Sequence, residues 1–315
     1  PNPSAFLVKY SPTGEMLWNR VLVDDTDGYP STYGAGISVA PDDTIAVTVA
    51  LDSQSDPYSY IAMLDGDANI LVSYLCEIDY TNYSDFFGMG DSQFDTQNNL
   101  YQIANHYYDA GEGGSYSGMI SKIGMDVTSK LLNNHGSNLY LYSLDVKNDS
   151  VVVAGTIYWS GDYKMYLAKL DTDLNIVWNV VIGTPGDNVA GLSVSQDAQG
   201  NIYVTGDWSG GSPVMKFDSN GQLLWQRVIN QNGNTYAYNI VADTDGSVFV
   251  GGNTTDTDSG YSGLFVAKLD GESGLTSWIN IWESYTQENT YQWYYYENAH
   301  RSMAIKDDVL TMVGY

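Results

Sequence analysis

The chain has 315 residues, with 12 basic against 38 acidic side chains and a formal net charge of −26. So acidic a balance excludes nucleic acid as a partner, because phosphates need a basic stripe, and equally an anionic membrane surface. Cys76 is the one cysteine, which rules out an intrachain disulfide framework, and no apolar run reaches the ~18 residues of a membrane span.

The opening PNPS carries neither Met nor a charged-then-apolar leader, as expected of a segment processed or cut from a longer chain. The first predicted element, AFLVKYSPTGEMLWNRVLV (5–23), alternates apolar residues on both sides of a PTG turn and reads as a hairpin. The same unit returns as YIAMLDGDANILVSYLCEI (60–78), SGMISKIGMDVTSKLLNNH (117–135), YLAKLDTDLNIVWNVVI (166–182), PVMKFDSNGQLLWQRVI (213–229) and LFVAKLDGESGLTSWINI (264–281). Its anchor falls at Lys9, Met63, Lys122, Lys169, Lys216 and Lys268, 47 to 59 residues apart. A second hairpin with an Asp/Asn/Gly turn follows in most copies, as in 142–155, 191–206 and 239–252. Two hairpins per period make four strands, the unit of a β-propeller blade.

Trp18, Trp178, Trp225 and Trp278 stand nine or ten residues after the anchor, with Val72 and Leu131 in the two degenerate copies. A large apolar group at one repeat position predicts packing between adjacent blades. The chain starts on a Lys/Trp hairpin and stops on DDVLTMVGY (307–315), the second strand of the other kind of hairpin. The expected fold is therefore all-β: one six-bladed propeller domain over 1–315, of four-stranded antiparallel blades, closed by hairpin 5–23 joining hairpin 302–315.

The K-[LYF]-[DS]-x-x-G-x-x-x-W pattern, followed by D-x-x-G-x-[IV]-[YF]-V-x-G, resembles the SBBP-type repeat within the wider group of tryptophan-containing propeller repeats. The resemblance covers essentially the whole chain; copies two and three lack the Lys, the Trp or the terminal Gly in part. It implies a scaffold of secreted or surface proteins of bacteria, or of structural proteins of marine phages, and assigns no active site.

On the strand beside the anchor, Lys169 and its equivalents are expected to pair with a repeat Asp such as Asp171 or Asp218, or to lie along the blade. DDTDG (24–28), DTDG (243–246) and DTDSG (256–260) look like parts of a calcium loop. The first two fail the EF-hand pattern, and DTDG falls on a hairpin turn where Asp and Gly serve the backbone. No metal site and no cofactor is therefore expected. His106, His135 and His300 lie in three different repeats, so no triad or metal spacing exists, and no enzyme is expected.

The turns within hairpins are short, while the links 24–35, 79–91, 105–117, 156–165, 207–212, 253–263 and 283–300 are long and lie on the opposite face. These carry the aromatics: Tyr107 and Tyr108, Tyr158 and Trp159, Trp208, and the run Tyr291, Trp293, Tyr294, Tyr295 and Tyr296. Tyr and Trp among Gly, Ser, Asn and Asp resemble a binding surface. The expected function is a non-catalytic interaction module of an extracellular assembly, either a virion component such as a phage tail protein or a bacterial surface protein. Its partner is a protein; a glycan is the alternative, since sugars stack on exposed Trp and Tyr. An enzyme is the third reading.

Overall fold

The structure, a computed structural model, describes residues 5–11, 13–23, 31–52, 58–76, 86–108, 115–132, 137–147, 149–208, 211–230, 233–256, 262–283, 303–306 and 309–312. All regular structure among them is β-strand. The chain divides into two compact units, Pro1–Gly136 and Ser137–Tyr315.

In the first unit, β1 (Ala5–Tyr10) and β2 (Met16–Val23) form a two-stranded sheet. Two four-stranded sheets follow: β3 (Ser31–Val39), β4 (Ile45–Asp52), β5 (Tyr58–Leu64) and β6 (Ile70–Cys76), then β7 (Phe86–Phe94), β8 (Leu100–Tyr108), β9 (Ser115–Ile123) and β10 (Val127–Leu131). The second unit holds three more. They are β11 (Leu139–Lys147), β12 (Ser150–Trp159), β13 (Asp162–Leu170) and β14 (Ile176–Ile182); β15 (Val189–Gln196), β16 (Ile202–Trp208), β17 (Ser212–Phe217) and β18 (Leu223–Ile229); and β19 (Gly233–Ala242), β20 (Ser247–Asp256), β21 (Ser262–Asp270) and β22 (Thr276–Glu283). A hairpin of β23 (Met303–Lys306) and β24 (Val309–Met312) ends it. Every four-stranded sheet is an antiparallel meander in chain order. Four-stranded antiparallel meanders of this kind are the unit of a propeller blade, and the all-β expectation holds.

In the second unit each meander runs from a buried first strand to a more exposed fourth one, as β11 and β14 show. The first strand carries a bulge at a matching place in all five sheets: between Gly34 and Gly36, Met89 and Ser92, Leu141 and Ser143, Gly191 and Ser193, and Ala237 and Asn239. The bulge pushes a carbonyl towards the second strand. A Cβ on Gly155, Gly206 or Gly252 would lie 2.0, 1.7 or 1.9 Å from the carbonyl oxygen of Tyr140, Ala190 or Tyr236. That contact explains the terminal glycine of the repeat.

One turn recurs at one end of the sheets. Asp65, Asp95, Asp171, Asp197 and Asp218 each accept the backbone N–H groups two and four residues on, at 2.8–3.0 Å. In the first four, the Asn four residues on also donates its side-chain amide to the same carboxylate. The DTDG of 243–246 is a turn of the same backbone pattern: Asp243 N–H reaches Ser247 O at 2.8 Å and Gly246 N–H reaches Asp243 O at 3.3 Å. The stretch 24–28 and most of 256–260 lie outside the described residues.

Trp18, Trp178 and Trp225 do pack between neighbouring sheets, whereas Trp278 is part-exposed against Phe249 of its own sheet; the lysines do something the sequence did not suggest. Lys9 Nζ and Trp18 Nε1 both donate to Gly66 O, at 2.9 and 3.1 Å. Lys169 and Trp178 converge on Ser219 O at 3.2 and 3.1 Å, and Lys216 and Trp225 on Gly271 O at 2.8 and 3.1 Å. Each acceptor sits in the turn of the next sheet. The carboxylates of Asp171 and Asp218 are engaged by their own turns, so the lysine takes a carbonyl instead of the expected aspartate. Two anchors differ: Lys268 lies 3.5 Å from Asp245 and over the Phe249 ring, and Lys122 lies over the Tyr101 ring. First strands are also joined sheet to sheet. Ser143 and Asp145 accept Val194 N–H and Gln196 N–H, and Ser193 and Ser195 accept Ile240 N–H and Ala242 N–H, at 2.8–3.3 Å.

Candidate functional site

Because the strands alternate in direction, all the Asp turns lie at one end of a unit's sheets and the remaining connections at the other. Three of the long loops expected from sequence are wholly or partly strand, while most of 24–35, 79–91 and 283–300 lies outside the described residues. The stretch 156–165 is strand almost throughout: β12 pairs with β13 up to Trp159↔Asp162, leaving only Ser160 and Gly161 as the turn. Both have positive φ, 53° and 94°, the primed turn whose twist suits a two-residue hairpin. Likewise β8 and β9 pair out to Tyr108↔Ser115, and β16 runs through Trp208. Tyr107, Tyr108, Tyr158, Trp159 and Trp208 therefore sit on strand ends. The cause is the β preference of Tyr, Trp, Ile and Thr, which carries the pairing beyond the point where Gly, Ser and Asp suggest a loop.

The β12–β13 tip is the best-defined cluster. Tyr158 and Tyr163 are cross-strand partners whose rings meet edge to face, 5.2 Å between centroids. Beside them Trp159 is 54% exposed, and both tyrosines expose about two-fifths of their surface. The tip is anchored to the connection between β14 and β15. Tyr163 N–H donates to Asn188 Oδ1 at 3.1 Å, and Asp162 accepts Gly186 N–H at 2.8 Å. Lys164, almost fully buried, donates to the carbonyls of Thr184 and Asp187 and lies 3.4 Å from Asp162. The Gly186 N–H, and then the lysine, hold the Asp162 carboxyl below the usual carboxylate range against the opposing effect of burial. Gly183, at φ 138°, leaves room for the Lys164 stem: a Cβ there would meet Lys164 Cδ at 2.8 Å. Three aromatic side chains are thus displayed on a base whose charges are already satisfied.

Of the other expected site residues, Trp208 is turned inward; its indole N–H is buried and has no hydrogen-bond partner. The side chains of Tyr107 and Tyr108, and all of Tyr291, Trp293, Tyr294, Tyr295 and Tyr296, lie outside the described residues. Tyr163, Asp162 and Lys164 were missed by sequence reasoning. The signal that could have found them is the unbroken alternation of TIYWSGDYK around a Ser-Gly pair. Asp207 was missed too. It is half-buried next to Trp208, and burial raises its carboxyl above the ordinary value. Burial likewise pushes the Tyr166 hydroxyl up to about 12. Among the described residues, no group of three or more His, Cys, Asp or Glu side chains could hold a metal.

No family model and no curated protein matches the chain. Among solved structures it is similar to cobalt-substituted Synechocystis ACO, at 9% identity over 88% of this chain and 67% of that one, with a TM-score of 0.50. It is also similar to a protein of unknown function from Bacteroides caccae, at 11% identity over 89% and 94% of the two chains, TM-score 0.49. A third is a subtype N10 neuraminidase-like protein of A/little yellow-shouldered bat/Guatemala/060/2010, at 14% identity over 79% and 83%, TM-score 0.49. At such identities the likeness concerns the fold alone.

Proposed function

We propose that the chain is a non-catalytic interaction module of an extracellular assembly, a virion structural component or a bacterial surface protein. Its contact surface is the connection-bearing end of the sheets. The observation that carries the reading is the β12–β13 tip, where Tyr158, Trp159 and Tyr163 are exposed on a hairpin pinned by Asp162, Lys164 and Asn188. Rigid aromatic area lowers the ordering cost of association. The fold part of the proposal is six blades, with β1–β2 and β23–β24 completing one four-stranded blade; its support is the phase of the sequence repeat. The extracellular setting rests on the repeat resemblance and the net charge of −26.

Hydroxyl-radical footprinting of the native assembly against the isolated chain tests the contact. Trp159 and Tyr163 should be protected in the assembly, while exposed residues at the Asp-turn end, such as Asp67 and Asp173, label equally in both. Equal labelling of Trp159 in the two states overturns the proposal. The second reading is a glycan site, favoured by Trp159 standing exposed beside the polar connection that carries Asp187 and Asn188. A glycan array with hits that vanish in Trp159→Ala selects it over a protein partner.

A further inference from the structure

Two polar atoms of the second unit are shielded from solvent, lack a partner, and belong to the same layer between two sheets. They are Thr156 Oγ1 and Trp208 Nε1. Thr156 is 4% exposed and lies on β12 in the same alternation as Val152 and Ala154, so it shares their face. Val152 and Ala154 form one core cluster with Met165, Val189 and Val204, and Trp208 packs against that cluster from the neighbouring sheet. Met165 is the cross-strand partner of Thr156, and Val189 that of Trp208. The sheets approach closely at this level: a Cβ on Gly191 would lie 2.9 Å from Gly155 O and 2.7 Å from Met165 Cγ. An indole donor and a hydroxyl thus enter one wedge from opposite walls.

A buried donor without an acceptor is costly, and such groups in folded proteins are ordinarily met by ordered water. The chemistry suits water: the indole can only donate, while the hydroxyl can either donate or accept. We propose that the wedge between β11–β14 and β15–β18 binds one water molecule, which accepts the Trp208 indole N–H and is hydrogen-bonded to Thr156 Oγ1. Two residues beyond Thr156 is Tyr158, so this water fixes the wedge at the base of the aromatic tip. The inference is independent of what the tip binds.

Proton NMR tests it. The Trp208 indole resonance, assigned by its loss in Trp208→Phe, should show a cross-relaxation peak to a long-lived water. Thr156→Val should abolish that peak and lower the denaturation midpoint, Thr156→Ser should keep both, and Thr156→Val with Trp208→Phe should lose less than the two single changes summed. A protected indole proton with no water peak overturns the proposal, and so do additive midpoint shifts.

Discussion

The two ends of the second unit's sheets are built on opposite plans. At one end the same turn is repeated, with an aspartate closing it and the preceding sheet's lysine and tryptophan resting on the turn. At the other, no two described connections match: a two-residue primed turn after Trp159, a short bridge from Trp208 to Gly211, and a six-residue connection, 183–188, that grips a lysine. Where side chains serve the scaffold they recur from copy to copy, because each copy faces the same neighbour.

The strongest way to break the comparison is to damage the repeated plan between the two ends. Gly206→Val places a side chain where a Cβ is already 1.7 Å from Ala190 O, so a loss of about 3 kcal/mol or more is expected in urea denaturation. Lys216→Met keeps the apolar stem but removes a buried charge-assisted bond to Gly271 O. It should cost about 1.5–3 kcal/mol, while Trp225 still holds the same carbonyl. A cost below about 0.5 kcal/mol would mean that the lysine merely fills space.

Next in size is acid. Hydrogen bonds from Gln222 and Asn220 depress the Asp218 carboxyl, and those from Asn69 depress Asp65. A depressed folded value means stability that is present above the unfolded carboxyl range near pH 4, and is lost as the pH falls through the lower folded value. Urea midpoints should therefore drop between pH 4 and pH 2, and Asp218→Asn should flatten part of that slope. The smallest effect belongs to the tip: Trp159→Ser should leave stability within about 0.5 kcal/mol and still remove the footprint in the assembly. If it destabilises the chain as much as Lys216→Met, the tip belongs to the scaffold and the contrast fails.

The repeated plan was legible in the sequence because it is written several times. Lys169 and Trp178, or Gly206 and Gly252, stand at fixed offsets, and that regularity was enough for sheets, turn chemistry and the packing role of the tryptophans. The lysine partner was not legible, since Asp218 spends its oxygens on the turn and leaves Ser219 O as the acceptor. The extended hairpin was hidden by composition: Ser160, Gly161 and Asp162 look like loop residues, yet their neighbours keep pairing. The anchoring of Asp162 by Gly186 and of Lys164 by residues 184 and 187 joins positions 20 to 24 residues apart in single copies. No repetition announces such contacts.

In the three copies where the lysine and tryptophan share an acceptor, they reach forward from one hairpin to the turn of the next sheet. The β15–β18 sheet therefore carries a plug on one side and a socket on the other, and the join is of the head-to-tail kind. A copy duplicated in the gene brings both halves of its interface with it, so a new unit can be inserted between two old ones without inventing a contact. Lineages built on this plan are free to change their number of sheets in single genetic steps, while the unmatched connections at the far end diverge one at a time.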